Sequence, residues 1–267
     1  MSQLVRLAII MVVSLFAVSA TGAPVAYSVN SDSGSSDQDS LYQIDLATGS
    51  EDLKGKLLTG IPDDARNDTE GLAIAPDGTL WGVDVECRTI FPINKEFGFV
   101  KISEEVPLTN FPPQPQQFGG HDFGMTFGCN NILYLVSVQT RTLHTVNLDG
   151  SSEIIGNDGA LGVNISAIAA YGNPTQLYGI GNGTFENGDV DSPNLYHIEV
   201  TGEDAGVAKI IGPLGMGTSI KDYDQAGLAF DSEGTLWAIT DRRIINDKIA
   251  ENQPSDILRI ELETGAA

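Results

Sequence analysis

The chain repeats, and a repeat restricts a fold more tightly than composition does, because each copy must bury its apolar face against the next. The clearest copy runs from Gly71 through Leu72, Ala73, Ile74 and Ala75 into Pro76-Asp77-Gly78-Thr79-Leu80-Trp81. It returns as Gly227-Leu228-Ala229-Phe230-Asp231-Ser232-Glu233-Gly234-Thr235-Leu236-Trp237. Weaker copies occupy residues 124–134 and 167–178. Each copy is an apolar run, a turn, and a second run carrying an aromatic residue.

A third run follows in period two, apolar and polar residues alternating as on a half-buried antiparallel strand. Its copies are residues 41–45, 142–146, 195–199 and 257–261. Residues 55–58, 98–102, 153–155 and 208–211 read as a fourth. Four short antiparallel strands in a unit of roughly 40–60 residues predict the blades of an all-β β-propeller. We name the strands A to D from the channel outward. A two-sheet sandwich is the competing architecture, and the matched strand order argues against it. Four strand-A copies and the two chain ends give about five four-stranded blades, with six as the upper reading. Residues 25–29 start the first blade at strand B, and the last reaches only strand C at residues 257–262, so the seam blade is incomplete at the C-terminus. Leu72, Ile74, Met125, Ile168, Leu228 and Phe230 are expected between blades, with Trp81 and Trp237 at equivalent places.

Ahead of the repeat stands Arg6, the only charge in the first 30 residues, then an apolar stretch over residues 7–18. That stretch is too short to span a bilayer comfortably. Val18-Ser19-Ala20 follows as a cleavage site, which predicts a secretory signal peptide over residues 1–20 and a single propeller domain over 21–267. The expected location is secreted or periplasmic, with no membrane insertion after cleavage. The net charge of −22 repels phosphate backbones, so nucleic acid is not an expected partner. In an exported chain Cys87 and Cys129 are candidates to pair. The repeat register places them at opposite ends of the propeller, beyond the reach of a disulfide.

One polar position recurs three residues before the Gly or Ala that opens each apolar run. It holds Asp68, His121, Asn164 and Asp224, with Glu70 and Asp122 in the same segments. All are O or N donors able to ligate a divalent cation, calcium first among them. Blade symmetry would bring them to one channel mouth. Asp and Asn are also ordinary turn residues, which gives the same pattern a purely structural explanation. The B–C loops at 30–40, 182–192 and 241–256 return to that mouth. No Gly-x-Ser-x-Gly elbow, phosphate loop or His-Glu-x-x-His helix occurs. His144 and His197 read as ordinary strand residues.

The Asp77-Gly78-Thr79-Leu80-Trp81 hairpin and its counterpart resemble blades of secreted bacterial β-propellers of the gluconolactonase/regucalcin kind. That resemblance implies a divalent metal in the channel, held by Glu, Asn and Asp at strand starts. Glu70-Gly71 looks like the Glu-Gly of that family. Asn164 and Asp224 are the nearest Asn and Asp, and neither directly precedes its apolar strand. The count of five blades also differs from that family's six. The expected function is a binding module for a cation, small ligand, glycan or protein partner. The alternative is a metal-dependent hydrolase of the lactonase or esterase type with its site at the channel mouth.

Overall fold

The computed structural model describes residues 24–29, 39–59, 68–111, 122–181, 193–215, 226–240, 244–245, 248–249 and 255–267. Five antiparallel sheets form a five-bladed β-propeller. The first holds β1 (Val25–Val29), β2 (Ser40–Asp45) and β3 (Glu51–Lys56). The second holds β4 (Thr69–Ile74), β5 (Leu80–Asp84), β6 (Thr89–Ile93) and β7 (Val106–Pro107). The third is β8 (Phe123–Phe127), β9 (Leu133–Ser137), β10 (Thr142–Val146) and β11 (Ser152–Ile155). The fourth is β12 (Ile165–Tyr171), β13 (Gln176–Gly181), β14 (Asn194–Ile198) and β15 (Ala208–Pro213). The fifth pairs β16 (Ala226–Phe230) and β17 (Leu236–Thr240) with β20 (Ile257–Ile260), and a hairpin of β18 (Ile244–Ile245) and β19 (Lys248–Ile249) lies between.

Two D strands differ from their expected places, the first being β3, which starts at Glu51, four residues ahead of the expected 55–58, and ends at Lys56. Residues 98–102 are not the outer strand of the second blade. Gly98 lies in the left-handed region and ends the turn after β6, Val100 makes a single bridge to Ile93, and a 3-10 turn spans Ile102–Glu104. The outer strand is β7, paired through Thr89↔Pro107 and Ile90↔Val106. The left-handed turn and the 3-10 turn lengthen this connection, which spacing alone does not show.

Apolar alternation on each blade face becomes a core between blades rather than within them. Leu41, Leu57, Leu80, Phe91, Ile93 and Val100 join blades one and two. Phe123, Met125 and Leu135 join Val83 and Ile90 across blades two and three. Ile165, Ile168 and Tyr196 meet Val136 and Leu143 across blades three and four. Leu236, Ala238 and Leu258 meet Ile180 and Leu195 across blades four and five. Burying side chains of this kind stabilises by about 1.5–3 kcal/mol each.

Met125 and Ile168 are buried as expected, whereas Leu72, Leu228 and Phe230 are half-buried. Ile74 is 48% exposed, because it ends β4 beside the A–B turn instead of lying deep between blades. Trp81 and Trp237 are equivalent, opposite Ala73 and Ala229 on their neighbouring strands.

A leucine beyond strand D recurs as a staple. The N–H groups of Leu57, Leu108, Leu161 and Leu214 donate to the carbonyls of Asp39, Arg88, Arg141 and Pro193, each the residue just before a strand C. This bond ties the exit of every complete D strand to the B–C end of its own blade.

Candidate functional site at the strand-start end

Strand A begins at the end of the propeller where the B–C turns lie. The N–H of Val85 donates to the Asp68 carbonyl at 2.9 Å, and that of Val138 donates to the Asp122 carbonyl at 3.2 Å. These equivalent bonds fix which residues correspond. In β4 and β12 an extra residue bulges the strand, between Thr69 and Gly71 and between Ile165 and Ala167. In β8 the pairing of Phe123↔Ser137 runs straight into Gly124↔Val136. The residue just before the strand is therefore Asp68, Asp122 and Asn164 in blades two, three and four. A fixed count from the glycine selects His121 in place of Asp122, since the count cannot see a bulge. His121 and Asp224 lie outside the described residues, as do most of the loops at 30–40, 182–192 and 241–256.

The side chains here are engaged with their neighbours. Glu70, the bulge residue of β4, accepts the N–H of Phe123 through Oε2 at 3.1 Å. It thereby ties the inner strands of two blades. Asp122 accepts from Gln139 Nε2 at 3.4 Å, and Asn164 Oδ1 accepts from Arg141 Nε at 3.0 Å. Arg141 belongs to the B–C turn of the third blade, so this bond also crosses between blades.

Two B–C turns match closely. Asp84 caps one by accepting the Cys87 N–H at 2.7 Å, and the Ser137 hydroxyl caps the other by accepting from Thr140 at 3.3 Å. Arg88 and Arg141 both adopt φ 53°. The sequence signal for this pair is the match of Val85-Glu86-Cys87-Arg88-Thr89 with Val138-Gln139-Thr140-Arg141-Thr142, which lies in the B–C turns and not at the strand starts.

Among the described residues no group of three or more His, Cys, Asp and Glu side chains is placed to hold a metal ion. The carboxylates with shifted acidity lie at the opposite end. Hydrogen bonds from Thr79 hold Asp77 below the ordinary carboxylate range, and bonds from Ser151 do the same for Asp149. Burial pushes the Tyr178 phenol up. His144 is buried, with Nε2 at 2.9 Å from the Thr142 hydroxyl and its ring against Phe111 at 4.1 Å. Its place is in the packing between blades. Cys87 and Cys129 are not bonded to one another. Cys87 sits beside a B–C turn and Cys129 beside an A–B turn, at opposite ends.

The fold defines a class, the five-bladed β-propellers, and similarity carries no further. No protein-family model matches the chain, and no curated protein does. Among solved structures it is similar to a Bacteroides thetaiotaomicron protein of unknown function, at TM-score 0.49 and 11% identity, covering 74% of this chain and 50% of that one. The chain thus spans half the length of that structure. A catalytically inactive virginiamycin B lyase from Staphylococcus aureus, with quinupristin, matches at TM-score 0.42 and 18% identity over 91% of this chain and 71% of that one. A streptogramin B lyase matches at TM-score 0.41 and 16% identity, over 89% and 73%. No helix among the described residues is long and apolar enough to cross a membrane.

Proposed function

We propose that this chain is an exported, acidic binding module whose ligand surface is the strand-start end of the channel. One observation carries the reading. Asp68, Asp122 and Asn164 occupy the same place on three successive blades, beside the B–C turns. A rigid scaffold that gathers polar side chains and loops on one face is suited to recognition. The ligand classes that fit are a divalent cation, calcium first, a glycan, or a protein partner presenting cationic groups to a chain of net charge −22. The described donors alone do not make a cation site, so a bound ion would draw on His121 or Asp224 as well.

A hydrolase of the lactonase type is the weaker reading. Glu70 and Asn164 already accept hydrogen bonds that join blades, which gives both a structural task. Thermal unfolding with millimolar calcium, against sodium chloride at matched ionic strength, tests the cation form. The expected result is a larger rise in Tm with calcium, diminished in Asp68→Asn/Asp122→Asn. Equal rises in both salts would leave these residues as turn formers. Chelator-sensitive turnover of a lactone or ester panel, lost in Glu70→Gln, would favour the hydrolase instead.

A further inference from the structure

The turn from strand C to strand D, at the rim of the propeller, has one build in all five blades. Its glycines, Gly49, Gly98, Gly150, Gly206 and Gly265, all take positive φ. The residue after each glycine offers its carbonyl to an N–H at the end of strand C, from Asp45, Asn94, Asn147, Glu199 and Glu261 in turn. In four blades the residues flanking the glycine include no aromatic: Thr48 and Ser50, Asp149 and Ser151, Ala205 and Val207, Thr264 and Ala266. In the second blade both are phenylalanine, Phe97 at 65% exposure and Phe99 at 42%. The shared turn does not call for them, and the fold does not bury them.

The pair stands on a stiff support. Asn94 Oδ1 accepts the N–H groups of Glu96 and Phe97 at 2.9 and 3.2 Å, and the Asn94 carbonyl accepts that of Gly98 at 2.8 Å. Lys95 Nζ donates to the Gly78 carbonyl at 2.6 Å, which braces the turn on the A–B turn of its own blade. On the other side the turn meets the first blade. A β-carbon on Gly55 would lie 2.5 Å from the Phe97 carbonyl, and the Val100 N–H donates to the Leu58 carbonyl at 3.0 Å. Leu58 and Ile102, both exposed, extend the apolar surface along the same two segments. A backbone already held in place avoids the ordering cost that a flexible loop meets on association.

Charge decides what suits this surface. The chain carries −22, yet residues 51–58 and 94–104 are balanced, with Lys54, Lys56, Lys95 and Lys101 against Glu51, Asp52, Glu96 and Glu104. Lys54 pairs with Asp52 at 2.6 Å and Lys101 with Glu104 at 2.9 Å. A cationic partner gains more on the acidic remainder of the molecule. An anionic one meets the field of the whole chain with no local excess of lysine to draw it. Two copies of the chain repel each other least where both are balanced. Charges more than about 8 Å away are largely screened at physiological salt, so contact through this patch leaves most of each copy's charge out of range. A two-fold contact also lets the exposed Lys101, Glu104 and Asp52 exchange partners across the axis.

We propose that the Phe97–Phe99 turn is the centre of a two-fold interface between two copies of this chain. Phe97 and Phe99 of each copy pack on the same patch of the other, with Leu58 and Ile102 around them and the lysine–carboxylate pairs as a polar rim. This surface lies apart from the strand-start end and requires no ligand there.

Sedimentation velocity of the full protein over a concentration series is the measurement. A monomer–dimer equilibrium is expected. It should tighten as sodium chloride rises from about 0.05 to about 0.5 M, because salt screens the repulsion between copies while apolar contact persists. Phe97→Asp/Phe99→Asp, at exposed positions, should raise the dissociation constant by about a hundredfold or more with the circular dichroism unchanged. Leu148→Asp, an exposed site on the matching turn of the third blade, should leave that constant unaltered. A monomer at every concentration overturns the proposal. So does a dimer that survives the double substitution, or one that Leu148→Asp dissociates equally. Phosphatidylcholine vesicles provide the remaining arm. Vesicle binding by a monomer, abolished in Phe97→Asp/Phe99→Asp, would assign the turn to a lipid surface and overturn the dimer.

Discussion

The inner strands β4, β8 and β12 form one half of a comparison, and β16 forms the other. All four carry the same pattern of small and aliphatic residues. In the first three, the small residues are small because the next blade's inner strand passes against them. Gly227 and Ala229 have the same identities without that neighbour among the described residues. A residue's type records the interface that the repeat calls for, while its environment records whether the interface is filled. Strand pattern alone therefore cannot tell a closed ring from an open one.

The largest expected effect follows from that contrast. Gly124→Val drives a branched side chain into the Ser166 carbonyl and Val136, and overpacking with little room to relax should cost about 3 kcal/mol. Gly227→Val meets no described residue within 4 Å on a strand that favours β-branched residues, and should fall within about 0.5 kcal/mol of neutral. Urea denaturation of both variants measures the difference. Similar losses would mean that the seam is packed like the other interfaces. Next in size is Ile168→Asp against Leu228→Asp. Ile168 is 1% exposed and should not tolerate a charge, so this variant is expected not to fold. Leu228 is half-buried, and its variant should be weakened but folded, read by circular dichroism and proteolysis.

The rim provides a smaller pair. Gly150→Ala places a methyl against the Pro107 carbonyl in a left-handed turn, whereas Gly49→Ala carries only the backbone strain of such a turn. Left-handed strain alone costs about 1 kcal/mol. Gly49→Ala should show roughly that loss, and Gly150→Ala clearly more. Equal losses would indicate that no carbonyl contact distinguishes the closed rim from the seam.

Most of the fold was legible because repeats expose strand order directly. The third strands at 142–146 and 257–261 lie within a residue of β10 and β20, since alternation survives wherever one face is buried. The candidate site was legible only in part. Its end of the propeller followed from strand direction, but the residues did not follow from counting. Glu70 and Ser166 are extra residues in bulged strands, and a bulge is a backbone event with no fixed residue signature. Asp122 therefore takes the place that the count gave to His121. The bonds of Glu70 to Phe123 and Arg141 to Asn164 were equally hidden, because both join residues of different blades.

The smallest expected effect concerns how the fifth blade holds its own inner hairpin. In the second blade the residue after strand A is Ala75, and Trp81 packs against the core that this blade shares with the third. In the fifth the equivalent residue is Asp231. Its Oδ2 accepts the Trp237 indole N–H at 2.8 Å, and its Oδ1 accepts the N–H groups of Glu233 and Thr235 at 2.9 Å. Burial opposes ionisation of this carboxyl, but the bonds from Trp237, Thr235 and Glu233 outweigh it and hold its pKa below the ordinary range. A depressed folded pKa contributes stability that is present above the unfolded value of about 3.9 and is lost as pH falls through the folded value. Asp231→Asn should therefore be less stable than the parent at neutral pH, and the gap should narrow as the solution is acidified below about pH 4. Urea midpoints at pH 7 and pH 3 measure it. A gap of constant size would show that the Asp231–Trp237 lock acts by shape alone, and that the hairpin facing the seam has no charge-dependent support of its own.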